Sequence, residues 1–424
     1  MYEPHTTTNV LMVCTEYPPM KGAAGAYTAN LTRALKRNGM NVYIACNESG
    51  KGDFYGLSPT NKQNSKRLLE IVDRLKPDIV HIQFEPGVYG LILDPKDSRK
   101  SVTYIDSFYI KCKTPIVTTF HSAPLSLREW MRVNKVKPAS LVKRHGKMGK
   151  FGMPLRALIR WMKYNRKNIS NYQFFKNLYM EKMRQSRTGI VLSNHMSKML
   201  GETGKAIYPG SESAITFSVS KKEARRKFSL PQDTVRIALA IGFRTVNKGW
   251  DIIERMNIPD EWMIVVNSNK DHYNTQTLNF KWEEEVHNNR RNNHNNNIID
   301  LQRGFLTDEE LSILFYAADA VILPYKTAAA SAIMFNAFGH GIPFIATDLE
   351  FFKEFSNQGL GLTVKRKPGD FTKGLKILSQ NYVKYKEAVD VFRHNLKWDY
   401  IAEQHISIYN SLVAKPSIRA KIME

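Results

Sequence analysis

The stretch Gly304-Phe305-Leu306-Thr307-Asp308-Glu309-Glu310-Leu311-Ser312-Ile313-Leu314-Phe315-Tyr316-Ala317-Ala318-Asp319-Ala320-Val321-Ile322-Leu323-Pro324-Tyr325, continued by Gly341-Ile342-Pro343-Phe344-Ile345-Ala346-Thr347-Asp348, reads as helix, strand, small-residue loop, helix, strand. Thr307 is placed to cap a helix, with Glu310 three residues on as its reciprocal partner. Leu311, Leu314, Phe315 and Ala318 repeat at helical spacing, and 320–323 is a short apolar run suited to a buried strand. A second helix is predicted to begin in the loop 326–331. Its free amides and the positive end of its dipole would face whatever lies above the strand's carboxyl end, and an anion is the natural occupant.

The same alternation runs outward in both directions. Strands are predicted at 9–14, 41–46, 78–84, 115–120 and 188–193, then at 236–242, 262–267, 320–324 and 343–347, with helices between them. The segment 26–38, for example, puts Leu31, Ala34 and Leu35 on one helical face and stops at Gly39. Strands alternating with helices imply parallel sheets covered on both sides. The 424 residues suffice for two domains with separate cores, and Pro, Gly and Ser interrupt the pattern at 209–220, so a seam is expected there. The asparagine-rich piece 288–297 lacks apolar periodicity and reads as a surface loop. In open parallel sheets, ligands bind beyond the carboxyl ends of the strands. Two such sheets facing each other would therefore leave a cleft where the chemistry occurs.

Composition narrows the class. The hydrophobic content of 42% is that of a water-soluble globular chain, and no run approaches the roughly 18–20 apolar residues of a spanning helix. The opening residues 1–8 are polar and unlike a secretory leader, so a cytoplasmic protein is expected. Cys14, Cys46 and Cys112 have no paired spacing, which points to buried thiols rather than disulfides or a zinc site. There is no Asp-x-Asp, no Walker loop and no Gly-x-Gly-x-x-Gly, so neither a metal ion nor another cofactor is expected.

Several segments invite a ligand. Gly22 to Gly25 follows the first strand, where absent side chains let backbone approach a diphosphate, although an ordinary turn uses the same residues. In Ile241-Gly242-Phe243-Arg244-Thr245-Val246-Asn247-Lys248-Gly249-Trp250-Asp251, Lys248 lies where an amphipathic helix should begin. A cation is disfavoured there unless an anion accompanies it. His121 ends the run Pro115-Ile116-Val117-Thr118-Thr119-Phe120-His121-Ser122 and places an imidazole at a strand's carboxyl end; Glu85 is comparably placed after Asp78-Ile79-Val80-His81-Ile82-Gln83-Phe84.

The order of these segments resembles the donor-sugar half of the GT-B glycosyltransferases, in particular the large retaining group called family 4 or glycogen-synthase-like. The likeness extends to Val10-Leu11-Met12-Val13-Cys14, with Glu16-Tyr17-Pro18-Pro19 and Gly22-Ala23-Ala24-Gly25 after it, and to Trp398 with the helix 399–413. It implies two Rossmann-like parallel-sheet domains, an acceptor-binding one at 1–212 and a donor-binding one at 213–395, with 396–424 crossing back to the first. It also implies a metal-independent, hexosyltransferase-type enzyme that moves a sugar from a nucleotide diphosphate to a saccharide or lipid-linked envelope acceptor, with retention. By the same resemblance Lys248, joined by Arg244, contacts the diphosphate; Gly22, Gly25, Tyr325, Ser331, Ala332 and Ile333 line the donor site; His121 touches the sugar; Glu85 lies on the acceptor side. Many members of the group carry two glutamates eight positions apart, and here those positions hold Ala328 and Asn336. Asn336 retains the capacity to bond a ribose hydroxyl. A catalytically silent protein of the same fold, binding a nucleotide sugar or a partner, is the alternative this departure raises.

The segment 128–187 carries 17 Lys or Arg against Glu129 and Glu181, out of a net charge of +23 for the chain. Trp130, Phe151, Leu155, Leu158, Ile159, Trp161, Met162, Tyr164, Tyr172, Phe174, Phe175, Leu178 and Tyr179 are interleaved. Such a mixture suits an anionic membrane surface on the inner face of the plasma membrane, and equally a solvated helical hairpin. Phosphate backbones attract the same residues, making a nucleic-acid-binding protein the third class. No helix-turn-helix signature, zinc spacing or ribonucleoprotein motif accompanies them, which argues against nucleic acid.

Overall fold

In a computed structural model the described residues are 7–91, 103–133, 155–215, 217–232, 235–269 and 297–413. They form two compact units, one spanning Met1–Ala29, Gly39–Ala206 and Ser407–Glu424, the other Asn30–Asn38 and Ile207–Ile406. The chain changes unit at Ala29/Asn30, Asn38/Gly39, Ala206/Ile207 and Ile406/Ser407, the third just ahead of the interrupted stretch 209–220.

The first unit holds β1 (Asn9–Val13), β2 (Asn41–Ala45), β3 (Ile79–Phe84), β4 (Ile116–Phe120), β5 (Thr188–Val191) and β6 (Lys205–Ala206). All pair in parallel, in the order β2-β1-β3-β4-β5-β6. The second holds β7 (Arg236–Phe243), β8 (Trp262–Asn269), β9 (Ile298–Asp300), β10 (Ala320–Leu323), β11 (Phe344–Thr347) and β12 (Gly361–Val364), parallel in the order β12-β11-β10-β7-β8-β9. β6, β9 and β12 were not expected. The first has two residues, and the other two are half-buried edge strands whose sequences lack a long apolar run.

Alternation in the second sheet sorts side chains into two cores. Ile237, Leu239, Ile241, Val321 and Leu323 join one cluster, while Ala238, Ala240, Ala320 and Ile322 join the other. The first cluster is rich in phenylalanine, with Phe335, Phe338, Phe344, Phe351, Phe352 and Phe355 all buried. The capping box is formed: Glu310 N–H donates to Thr307 Oγ1 at 3.1 Å and Thr307 N–H donates to Glu310 at 2.9 Å, opening the helix Asp308–Ala317.

Among the described residues, part of the basic, aromatic segment is core rather than a free surface. In the helix Leu155–Gln185, Phe174, Leu178, Tyr179 and Met183 are buried, and Trp130 donates its indole N–H to the Asn168 carbonyl at 2.9 Å. Lys182 is fully buried; its Nζ meets Asp106 at 3.0 Å and lies over the Tyr109 ring. Phe151 and the asparagine-rich residues 288–296 lie outside the described residues. The thiols of Cys14 and Cys46 are buried, which pushes them up to about 12 and about 11. No helix among the described residues is long and apolar enough to cross a membrane. The helix Trp398–Val413 ends in the first unit, where Tyr409 is fully buried.

Candidate functional site

Strand order reverses between β7 and β10 in the second sheet, and the loops leaving their carboxyl ends border the crevice such a reversal creates. Lys248 leaves β7 and Tyr325 leaves β10. The Lys248 ammonium lies over the Tyr325 ring, 4.0 Å from its centroid, an arrangement in which the ring's negative face attracts the cation. Tyr325 is buried, packs edge-on against Phe352, and its hydroxyl makes no hydrogen bond to a described residue.

The amphipathic helix expected from Lys248 onward is a single turn, Trp250–Ile253. Its start at Trp250 rather than Lys248 follows from Gly249, whose φ of +76 breaks the helical path directly after the 3-10 turn Val246–Lys248. A side chain at residue 249 would also begin 2.0 Å from the Pro324 carbonyl oxygen. Glycine is therefore required twice over: for its left-handed backbone and for the close approach of the two loops. Asn247 fastens the same loops. Its Oδ1 accepts from the Thr327 N–H and hydroxyl at 2.9 Å each, and its carbonyl accepts from Lys326 N–H at 2.8 Å. From the end of β12, Arg366 donates to the Pro324 carbonyl at 3.0 Å and meets Asp251 at 2.5 Å.

Arg244 is placed differently. Its guanidinium sits 3.4 Å from Glu254, so its charge is shared with a carboxylate of its own unit. Asp251 is likewise engaged, by Arg366 and Arg255. No described carboxylate lies within ion-pair distance of Lys248. The edge thus offers one ammonium on an aromatic floor, with the neighbouring acids already neutralised.

The helix following β10 is Ala332–Gly339, starting at the far end of the expected loop. Ser331 caps it, its Oγ accepting from Met334 N–H at 3.3 Å. Ala332 is exposed and Ile333 half-buried at its first turn. Asn336 faces inward within its own unit: its Oδ1 accepts from the Ser211 hydroxyl at 3.0 Å, and Ala328 is buried. The resemblance put Lys248 and Tyr325 in one donor site, and in the structure the two side chains are in contact. Asn247 and Arg366 were missed, the first because an asparagine beside Lys-Gly is unremarkable, the second because its strand was not foreseen.

In the first sheet the order reverses between β1 and β3. Glu16 leaves β1 and is buried; its carboxylate accepts from Ala24 N–H at 3.2 Å, at the start of the helix Ala23–Arg37. Gly22 and Gly25 lie against it, since a Cβ on Gly25 would stand 2.0 Å from the Glu16 carbonyl oxygen and one on Gly22 would strike its carboxylate. An internal anion therefore already serves the amide end of this helix. Glu85 leaves β3 half-buried, with Oε2 accepting from the Ser122 hydroxyl, which also lies 2.5 Å from Tyr179 Oη. Burial, outweighing the Ser122 hydrogen bond and aided by the Glu16 charge, raises the Glu85 carboxyl from 4.5 to about 7. His121, beyond β4, is held by Gln83 at 2.8 Å and by the Tyr27 ring edge; burial lowers its imidazole to about 4. Glu16, Gln83, Ser122 and Tyr179 were not singled out from sequence.

No protein-family model and no curated protein matches the chain. Among solved structures, sucrose-phosphate synthase from Thermosynechococcus elongatus is similar over 96% of this chain and 99% of its own, at TM-score 0.61 and 14% identity. A glycosyltransferase from Rickettsia africae ESF-5 covers 97% of this chain and 100% of its own at TM-score 0.61 and 15% identity. The Anabaena protein HepE, solved in complex with UDP, covers 96% and 100% at TM-score 0.60 and 12% identity. The fold is GT-B. At these identities the likeness carries the architecture of two Rossmann-like sheets and nothing finer.

Proposed function

We propose that this GT-B chain is a glycosyltransferase that takes a sugar from a nucleotide diphosphate, with the diphosphate seated at the carboxyl ends of β7 and β10. The observation that carries this reading is Lys248: an ammonium at the strand-order reversal, resting on Tyr325, with no described carboxylate partner. Rupture of the sugar–phosphate bond leaves negative charge on the departing nucleotide, and a fixed cation there lowers the barrier. Amides at the start of the Ser331-capped helix suit the rest of the diphosphate. HepE was solved with UDP, and a starch synthase from Arabidopsis thaliana with ADP and acarbose, which favours a nucleotide diphosphate here.

The finer assignments are part of the same proposal. The transfer is of the retaining, family 4 type, moves a hexose, and proceeds without a metal ion. The acceptor is a saccharide or a lipid-linked envelope glycan, with Glu85 and His121 of the first unit on the acceptor and sugar side. Exposed Lys163, Arg166 and Ile169 on the helix Leu155–Gln185 support a peripheral contact with an anionic membrane from the cytoplasmic side.

A second reading, a silent nucleotide-sugar binder, is favoured by Asn336, which spends its amide oxygen on Ser211, and by the buried methyl of Ala328. A thermal-shift screen against UDP-, GDP- and ADP-sugars, followed by product analysis, separates the two. A ligand at a hundred times its dissociation constant adds about 2.7 kcal/mol, so one donor should raise Tm by several degrees and be turned over. Stabilisation without turnover favours the silent reading, and no stabilisation by any of them removes both.

A further inference from the structure

Beneath the carboxyl end of the first sheet, buried polar groups form a connected chain whose hydrogen positions can be deduced. Gln83 is fully buried, and its amide nitrogen lies 3.1 Å from Met12 Sδ and 3.3 Å from His81 Nε2, while its Oε1 lies 2.8 Å from His121 Nε2. A thioether sulfur has no hydrogen to give, so the orientation that sets the NH2 on Met12 and the carbonyl on His121 makes one contact that the flipped amide would lose. A carbonyl oxygen only accepts. His121 therefore carries its hydrogen on Nε2. Behind it, His81 Nε2 receives the Gln83 N–H and lies 2.7 Å from the Thr119 hydroxyl, leaving Nδ1 to donate to Tyr409 Oη at 2.6 Å.

We propose that Gln83, backed by His81 and by Tyr409 of the last helix, is a positioning residue that locks His121 as the Nε2–H tautomer and turns its bare Nδ1 into an acceptor for a sugar hydroxyl. The proposal rests on the transferase reading above for the identity of the ligand, but not for the tautomer. Nδ1 makes no hydrogen bond to a described residue. The Tyr27 edge, 5.1 Å between ring centroids, braces the imidazole from the helix Ala23–Arg37. The titratable groups near it include Tyr27, whose phenol burial pushes up, His81 across Gln83, and Glu85, which follows the residue paired with Phe120 and accepts from the adjacent Ser122 hydroxyl. With its pKa lowered to about 4, the ring is neutral near pH 7. A neutral ring offering a lone pair suits an O–H donor and does nothing for a phosphate.

The test is a long-range nitrogen–proton correlation spectrum of the full chain with isotope-labelled histidines near neutral pH, His121 being assigned by its loss in His121→Asn. The expected result is hydrogen on Nε2 in the wild type. Gln83→Leu should admit the Nδ1–H form and lower kcat roughly tenfold with little change in donor KM. Gln83→Glu, nearly isosteric, should raise the His121 pKa by at least about one unit through its charge. Hydrogen on Nδ1 in the wild type, or an unchanged tautomer and titration in both variants, would overturn the proposal. If the tautomer behaves as expected and no sugar nucleotide is turned over, the positioning role of Gln83 stands and the transferase reading falls.

Discussion

At the scale of single residues, Lys248 owes its position to neighbours that cannot be exchanged. Gly249→Ala would force a Cβ to within 2.0 Å of the Pro324 oxygen at a φ of +76. Strain and overpacking together should cost about 3 kcal/mol, read from urea denaturation; a loss below about 0.5 kcal/mol would mean the turn can relax. Glu85 makes a prediction of opposite character. Its folded-state pKa of about 7 lies above the ordinary 4.5, so the folded chain holds a proton that the unfolded chain releases. The Glu85 contribution to stability should therefore fall as pH rises from about 4.5 to about 7, by up to about 3 kcal/mol. His121, lowered to about 4, contributes in the opposite sense between about 4 and 6.5, so the Glu85 effect is read as the difference between wild type and a variant without that carboxyl. Glu85→Gln keeps an acceptor for Ser122 and lacks the titration, so its stability relative to wild type should climb across the window and then level off. Parallel denaturation curves for the two proteins at every pH would show that the carboxyl is not perturbed.

At the scale of elements, the strongest strands were legible because they are buried on both faces. The runs in β7, β10 and β11 carry few polar residues to confuse them. β6, β9 and β12 were not legible, because an edge strand of two to four half-exposed residues has no periodicity to read. The helix Leu155–Gln185 shows the converse limit. Its lysines and aromatic residues read as a surface, yet the fold uses Tyr179 under Ser122 and Lys182 beside Asp106 as interior parts. Composition cannot separate a buried cation from a solvated one, since its partner lies 76 positions away in sequence. Asp106→Asn should leave Lys182 without its counter-charge and cost about 3 kcal/mol, whereas Lys182→Met, which removes the charge itself, should cost distinctly less. Equal losses, measured by thermal or chemical denaturation, would assign the effect to packing alone.

At the scale of the whole molecule, two parallel six-stranded sheets each reverse strand order once, and each reversal collects chemistry: Lys248 and Tyr325 in one, Glu16 and Glu85 in the other. Lys248, Glu85 and His121 could be picked from sequence because they follow apolar runs and so mark strand ends. Asn247, Arg366 and Gln83 could not, since their roles are contacts with loops and rings far along the chain. The central claim is that Lys248 receives a nucleoside diphosphate, and calorimetric titration of UDP, GDP and ADP into wild type and Lys248→Met tests it most directly. At least one nucleotide should bind the wild type, and the variant, with unchanged circular dichroism, should bind that nucleotide at least about tenfold more weakly, a difference of about 1.4 kcal/mol. Equal affinity in the two proteins, or no binding of any of the three, would contradict it.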